Sequence, residues 1–183
     1  MKQKINNYKG YNSQLFKGKD LCINSENYIF LNKNYNFLLN LDRDIKILEF
    51  GPGRGLMVDY LLLNGFRNIT LCEVDSENVT LLKYKYQKIK GIQVFHENIM
   101  DFLKRNNRKY ELIISLQVIE HLSKKNLINF FELSKKRLSP YGFIVSETIN
   151  ALNAIYSTCY RYDDFTHEES FTPRSFREAT RKD

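Results

Sequence analysis

The chain has no tryptophan, only three prolines, and three cysteines, Cys22, Cys72 and Cys159, that lie far apart without a CxxC pair. That spacing supports neither a disulfide framework nor a cysteine-based zinc site, so no metal is expected. A reducing, cytoplasmic setting is the simplest reading of three separate thiols. The longest apolar runs, such as 60–63 and 112–114, fall well short of the roughly 18 residues of a membrane-spanning helix. The opening MKQKINNYKGYNSQ lacks the apolar core of a secretory signal.

What is present is enough for one domain. At 183 residues the chain is close to the roughly 150 of a typical domain, and with 43% hydrophobic and 14% aromatic residues it can bury a core. Lys and Arg exceed Asp and Glu by 28 to 21, a net charge of +7. The cations are dispersed, with short clusters such as Lys124-Lys125 and Lys135-Lys136-Arg137. A nucleic-acid footprint should gather on one face, so solvated surface is the better reading and nucleic acid is disfavoured as a partner.

Apolar spacing gives an order of elements. Residues 1–20 read as a polar arm and 25–41 as an amphipathic helix. From residue 45 short strands and helices alternate: strands at 45–50, 69–74, 92–96, 111–116 and 143–148; helices at 56–64, 76–88 and 124–138. Asp75 and Ser123 are placed as N-caps, Gly65 as a C-terminal stop, and Ser139-Pro140-Tyr141-Gly142 as the end of the third of these helices. The pattern predicts an α/β fold with a Rossmann-like parallel sheet and helices on both faces. The single domain divides into an arm and helix (1–44), a core (45–150) and a further segment (151–183). In such sheets ligands bind beyond the carboxyl ends of the strands, at the switch point.

The first strand runs into ILEFGPGRG, residues 47–55. Alternating Gly51, Gly53 and Gly55 let the main chain turn tightly and approach a ligand. The third glycine of a dinucleotide fingerprint would fall at position 56, which is Leu56, and no GK[ST] follows, so neither the GxGxxG nor the Walker pattern is met. The remaining pattern, an acid (Glu49) two residues before GxGxG, resembles the class I S-adenosylmethionine-dependent methyltransferases. Later blocks resemble that family in order: LCEVD at 71–75, HENIM at 96–100, SLQVIEHL at 115–122 and SPYGFIVSETIN at 139–150.

The resemblance implies S-adenosylmethionine as cofactor, held by Glu49, Phe50, Gly51, Pro52, Gly53, Gly55, Glu73, Val74, Asn98, Ile99, Met100, Leu116 and Gln117. Glu73 would accept the ribose hydroxyls, the same physics as the acid of dinucleotide folds, while Asp75 caps the next helix. The family's adenine-contacting acid is replaced by Asn98, with Asp101 as the alternative acceptor.

The acceptor must be read elsewhere. Ser115-Leu116-Gln117-Val118 lacks the [DN]PP[YF] of amino-methylating enzymes, and no cysteine follows a proline as a pyrimidine C5-methylase would require. DFTHEESFTPRS, residues 164–175, resembles a segment of bacterial methyltransferases associated with cell-surface polysaccharide. An O-methyltransferase on a sugar or sugar-linked group of a capsule or lipopolysaccharide precursor is the reading, a phosphoramidate oxygen being a narrower case. A general base would add about 10²–10⁴-fold. His167 is the first candidate and His121 the second, with Glu168 or Asp164 orienting an imidazole. His96 reads as structural. Arg161 and Arg174 could hold an anionic acceptor, and Tyr8, Tyr11 and Tyr28 could close over the cofactor.

Thr172-Pro173 starts a last helix. The chain is then expected to end before the family's strands six and seven, leaving an edge that a continuing chain or a second copy in a homodimer would cover. Two alternatives accompany the main reading: a catalytically incomplete cofactor-binding subunit needing a partner, and an RNA methyltransferase.

Overall fold

The computed structural model describes residues 23–181; Tyr8 and Tyr11 lie outside that range. The apolar runs become five parallel strands: β1 (Ile47–Phe50), β2 (Ile69–Glu73), β3 (Ile92–His96), β4 (Tyr110–Leu116) and β5 (Leu138–Glu147), ordered β3-β2-β1-β4-β5. The helices are α1 (Ser25–Tyr35), α2 (Leu56–Leu63), α3 (Ser76–Tyr86), α4 (Ile99–Arg105), α5 (Lys124–Arg137), α6 (Ala154–Asp163) and α7 (Pro173–Thr180). The expected Rossmann-like fold is the observed one. Strand order reverses beside β1, so the switch point opens between the ends of β1 and β4, where Phe50 pairs with Ser115.

Alternation along β1 sets the two layers. Ile47 packs with Leu61, Leu82 and Leu112 on the face covered by α1, α2 and α3. Leu48 and Phe50 pack with Phe102 of α4 and Phe130 of α5 on the other. All four β1 residues are buried, as a central strand covered on both faces requires. Burial of a side chain such as Phe130 contributes roughly 1.5–3 kcal/mol.

Local chemistry fixes the helix starts. Asp75 accepts the N–H of Asn78 at 2.8 Å and Ser123 that of Asn126 at 3.4 Å. At α7 Thr172 and Ser175 form a reciprocal capping box, with Pro173 in the first turn. The helix read over 25–41 is α-helical only to Tyr35, continuing as a 3₁₀ turn over Asn36–Asn40.

One expectation is corrected. Residues 139–142 are not a loop: β5 begins at Leu138 and runs through them. The six residues from Leu138 to Phe143 face the three from Tyr110 to Leu112, and the surplus is absorbed in a bulge where Tyr141 takes φ +63°. The Ser139 hydroxyl donates to Glu111 of β4, holding the bulge to the sheet.

Beneath the loop between β1 and α2 lies a buried ion pair. Lys85 of α3 donates to Asp59 of α2 at 2.6 Å, with side-chain exposures of 6% and 1%. Lys85 also reaches the Arg54 carbonyl, and the Tyr86 hydroxyl lies 2.9 Å from the Gly55 carbonyl and 2.8 Å from Asp59. Removing one partner of a buried pair strands the other charge, a loss of about 3–5 kcal/mol. Lys85→Met should therefore lower the free energy of unfolding by that amount in urea titration; an unchanged midpoint would show the pair to be dispensable.

Candidate active site

Each glycine of the loop has its own reason. A Cβ on Gly51 would meet Val118 at 2.6 Å, and one on Gly55 would meet the Tyr86 hydroxyl at 2.2 Å. Those two let neighbouring side chains approach the main chain. At Gly53, also left-handed with φ +52°, a Cβ would meet nothing within 4 Å. Its face is open, and its N–H points to the Glu73 carboxylate at 3.1 Å.

Glu73, at the end of β2, is 5% exposed. Its other oxygen accepts the N–H groups of Val74 and Asp75 at 2.8 and 2.9 Å, so three main-chain donors aim one carboxylate beside the loop. Glu49 is 3% exposed, and its Oε2 has no hydrogen-bond partner among the described residues. Burial, then the charges of Asp59 and Glu73, push its carboxyl from the usual 4.5 to about 8. It is a proton-bearing acid with spare acceptor capacity, suited to a cationic group.

The remaining expected positions divide between the loops after β3 and β4, with Val74 exposed beside Glu73. Asn98 spends its amide oxygen on the Met100 N–H as the N-cap of α4, while Asp101 is exposed, 3.8 Å from Lys104. Met100 is buried and Ile99 half-buried, giving that side an apolar wall. Leu116 ends β4. Gln117 takes φ +53° and is clamped by Glu147, which accepts both its main-chain N–H and its side-chain amide.

Past Gln117 the structure gathers the two histidines. Glu120 and His121 lie in a 3₁₀ turn (Ile119–His121), and His167 follows α6; the imidazole centroids are 4.7 Å apart. Tyr160 stacks on His167 and accepts its Nδ1–H through the main-chain carbonyl at 2.9 Å. Of the two expected orienting acids, Asp164 lies beside the rings and Glu168 does not. The Glu168 side chain is exposed, and its main-chain N–H donates to the Glu120 carbonyl. Asp164 stands 3.8 Å from His167 Nε2 and is engaged by Thr166. The buried acid beside both rings is Glu120, present in VIEHL but not singled out.

Arg161 donates to the Glu168 carbonyl and Arg174 pairs with Glu178 on the exposed face of α7. His96 bonds the Val74 carbonyl, and Tyr28 packs on Tyr60 of α2. A cavity of about 240 Å³ opens at the end of β5, lined by Glu147, Ile149, Phe171, Pro173 and Phe176 among others.

A parallel sheet with this order, a glycine turn after β1 and an acid ending β2 define a methyltransferase-type fold. Residues 24–182 match the family described as a methyltransferase domain, and the chain belongs to that family. Among solved structures it resembles an S-adenosylmethionine-dependent methyltransferase from Archaeoglobus fulgidus, with TM-score 0.70 over 91% of this chain and 69% of that one. At 17% identity that likeness speaks for the fold alone.

Among curated proteins, a ubiquinone biosynthesis O-methyltransferase of Rickettsia bellii is 30% identical over 133 residues, 71% of this chain and 52% of the relative. A ribosomal RNA small subunit methyltransferase A of Coxiella burnetii is 38% identical over 56 residues, 31% of this chain and 21% of the relative. The chain spans about half the length of the Rickettsia relative. Family and fold imply S-adenosylmethionine as the cofactor. The open face of Gly53, the clamped carboxylate of Glu73 and the unpartnered oxygen of Glu49 fit a ligand with a sugar diol and cationic groups.

Two predictions follow from this geometry. Gly53→Ala should cost only about 1–2 kcal/mol for its left-handed backbone yet weaken S-adenosylmethionine binding at least tenfold by calorimetry, whereas Gly55→Ala should chiefly lower Tm. Unaltered cofactor affinity in Gly53→Ala would refute the cradle. Because the Glu49 carboxyl is raised on folding, its contribution is complete below pH 4.5 and lost as pH climbs through about 8. The cofactor-free protein should thus lose Tm over that window, and Glu49→Gln should flatten the profile.

Proposed function

We propose that this chain is an S-adenosylmethionine-dependent O-methyltransferase, its residues aligning an acceptor hydroxyl with the cofactor's methyl. The single observation behind this reading is the Gly53–Glu73 contact with open space in front of it, set beside a cluster of proton-handling side chains past β4. When bound, S-adenosylmethionine supplies an already activated methyl on a sulfonium. Glu73 would hold the ribose hydroxyls, Glu49 and the glycine turn the charged amino-acid end, and Ile99 and Met100 the flank of the base. Alignment of reacting groups accounts for up to roughly 7–11 kcal/mol of a barrier, which suits a rigid loop better than a mobile one.

For the acceptor, the DFTHE…FTPRS string supports a sugar hydroxyl of a surface-glycan precursor. A second reading, an aromatic hydroxyl, draws on the name of the Rickettsia relative and on the apolar Ile149, Phe171, Pro173 and Phe176 of the β5 cavity. Activity assays decide among them: S-adenosylhomocysteine release should appear with a nucleotide-sugar or glycan fragment, or with a catechol. Turnover with RNA and none of these would displace the proposal. Cofactor binding without turnover until lysate is added would favour the incomplete-subunit alternative, and failure to bind the cofactor would sink the enzymatic reading.

A further inference from the structure

Three side chains that the cofactor loops do not use converge past the end of β4. The ligand-type atoms of Glu120, His121 and His167 all lie within 4.8 Å of one another. Their protons can be assigned. His167 Nδ1 lies 2.9 Å from the Tyr160 carbonyl, which can only accept, so Nδ1 carries the hydrogen and the neutral ring's lone pair sits on Nε2. His121 Nδ1 lies 2.9 Å from the Thr166 hydroxyl oxygen. That hydroxyl donates its own hydrogen to Asp164 at 2.6 Å, so it must accept from His121, and there too Nε2 is left with the lone pair. Two imidazoles whose Nδ1–H groups are anchored on a carbonyl and a hydroxyl are in the state that metal-binding histidines adopt.

Glu120 completes the set. It is 2% exposed, and its Oε1 lies 3.1 Å from the Tyr160 hydroxyl, which it shares with Gln117. Its Oε2 is buried with no hydrogen-bond partner among the described residues. A buried carboxylate oxygen left unmatched is costly. A cation between the three side chains satisfies the oxygen and both Nε2 atoms together.

We propose that Glu120, His121 and His167 bind one divalent transition-metal ion. Two imidazole nitrogens and one carboxylate favour zinc, manganese, iron or cobalt over magnesium or calcium, which prefer all-oxygen shells. Three protein ligands also leave a coordination position open, as in catalytic rather than structural sites. Resting on the O-methyltransferase reading, the open position takes the acceptor hydroxyl and lowers its pKa. The hydroxyl's proton then leaves to water, its oxygen forms the new bond to the methyl carbon, and the carbon–sulfur bond breaks with its electron pair kept by sulfur. The histidines serve as ligands, replacing the expected lone imidazole base.

The test uses the full chain, stripped with a chelator and titrated with Co²⁺ by calorimetry and visible absorption. One ion per chain is expected, with affinity at least tenfold weaker in His121→Ala and in Glu120→Gln, while S-adenosylmethionine affinity stays within twofold of wild type. His121 is half-buried and its ring bonds Thr166, so the Tm of each variant is read alongside, and whichever of the two loses the ion while keeping the wild-type Tm is decisive. No binding of Co²⁺, Zn²⁺ or Mn²⁺ by wild type, or undiminished binding by His121→Ala, overturns the site. If the ion binds but chelation leaves methyl transfer intact, its role in acceptor activation is overturned. If the ion binds and S-adenosylmethionine does not, the methyltransferase reading fails and the metal site stands.

Discussion

The contact on which the architecture turns is the main-chain N–H of Gly53 donating to the carboxylate of Glu73. It joins the loop after β1 to the end of β2 and fixes the acid relative to the glycine turn. Support comes from below, where Lys85 reaches the Arg54 carbonyl and the Tyr86 hydroxyl the Gly55 carbonyl, with Asp59 pairing Lys85. Because the loop is held by main-chain atoms and buried charges, it can be rigid while leaving the Gly53 face open. A loop held by surface contacts would pay in ordering entropy for each ligand it bound.

On the other side of β1 the hold is made by side chains. Tyr35 donates to Glu147, Glu147 accepts from the Gln117 amide, and the Tyr160 hydroxyl lies 2.8 Å from the Gln117 oxygen and 3.1 Å from Glu120. Tyr160 has one hydroxyl hydrogen and so serves one of these two acceptors at a time. Gln117 pays for its left-handed backbone, a cost on the order of 1–3 kcal/mol, and the double clamp by Glu147 keeps it there. The network connects α1, the ends of β4 and β5, and α6 to the Glu120 cluster, so the acceptor side is set by residues from segments distant in sequence.

That difference explains what could be read from the sequence. The strands around 47–50, 69–73, 92–96 and 110–116 were legible because central parallel strands are short continuous apolar runs, and the caps Asp75, Ser123 and Thr172 because a side-chain oxygen precedes each helix. The glycine turn after β1 was legible because glycine is conspicuous. Helix α4 is not legible because seven residues hold too few turns to show a period, nor is α6, which presents Ile155, Tyr156 and Tyr162 to solvent and buries Ser157. Such a helix carries no apolar stripe to detect. Glu120 was overlooked for a related reason: one acid in an apolar turn gives no hint that a histidine forty-seven positions later in the chain folds against it.

The distribution of charge bears on what the site can hold. The chain is basic overall, at +7, yet the charged residues buried among the described ones are Glu49, Asp59, Glu73 and Glu120, with His167 beside them. Among the described residues the Lys85 ammonium reaches in among the acids, and it is committed to Asp59. Cations therefore coat the outside while acids line the ends of β1, β2 and β4, Glu49 among them holding its proton. Coulombic attraction strengthens as water is excluded, so this interior favours positively charged ligands, a sulfonium with its ammonium on the glycine side and a metal ion on the histidine side. It would repel the phosphates of a nucleic acid drawn inward. A negatively charged acceptor would need the proposed ion as its counter-charge, since Arg161 and Arg174 are turned toward Glu168 and Glu178.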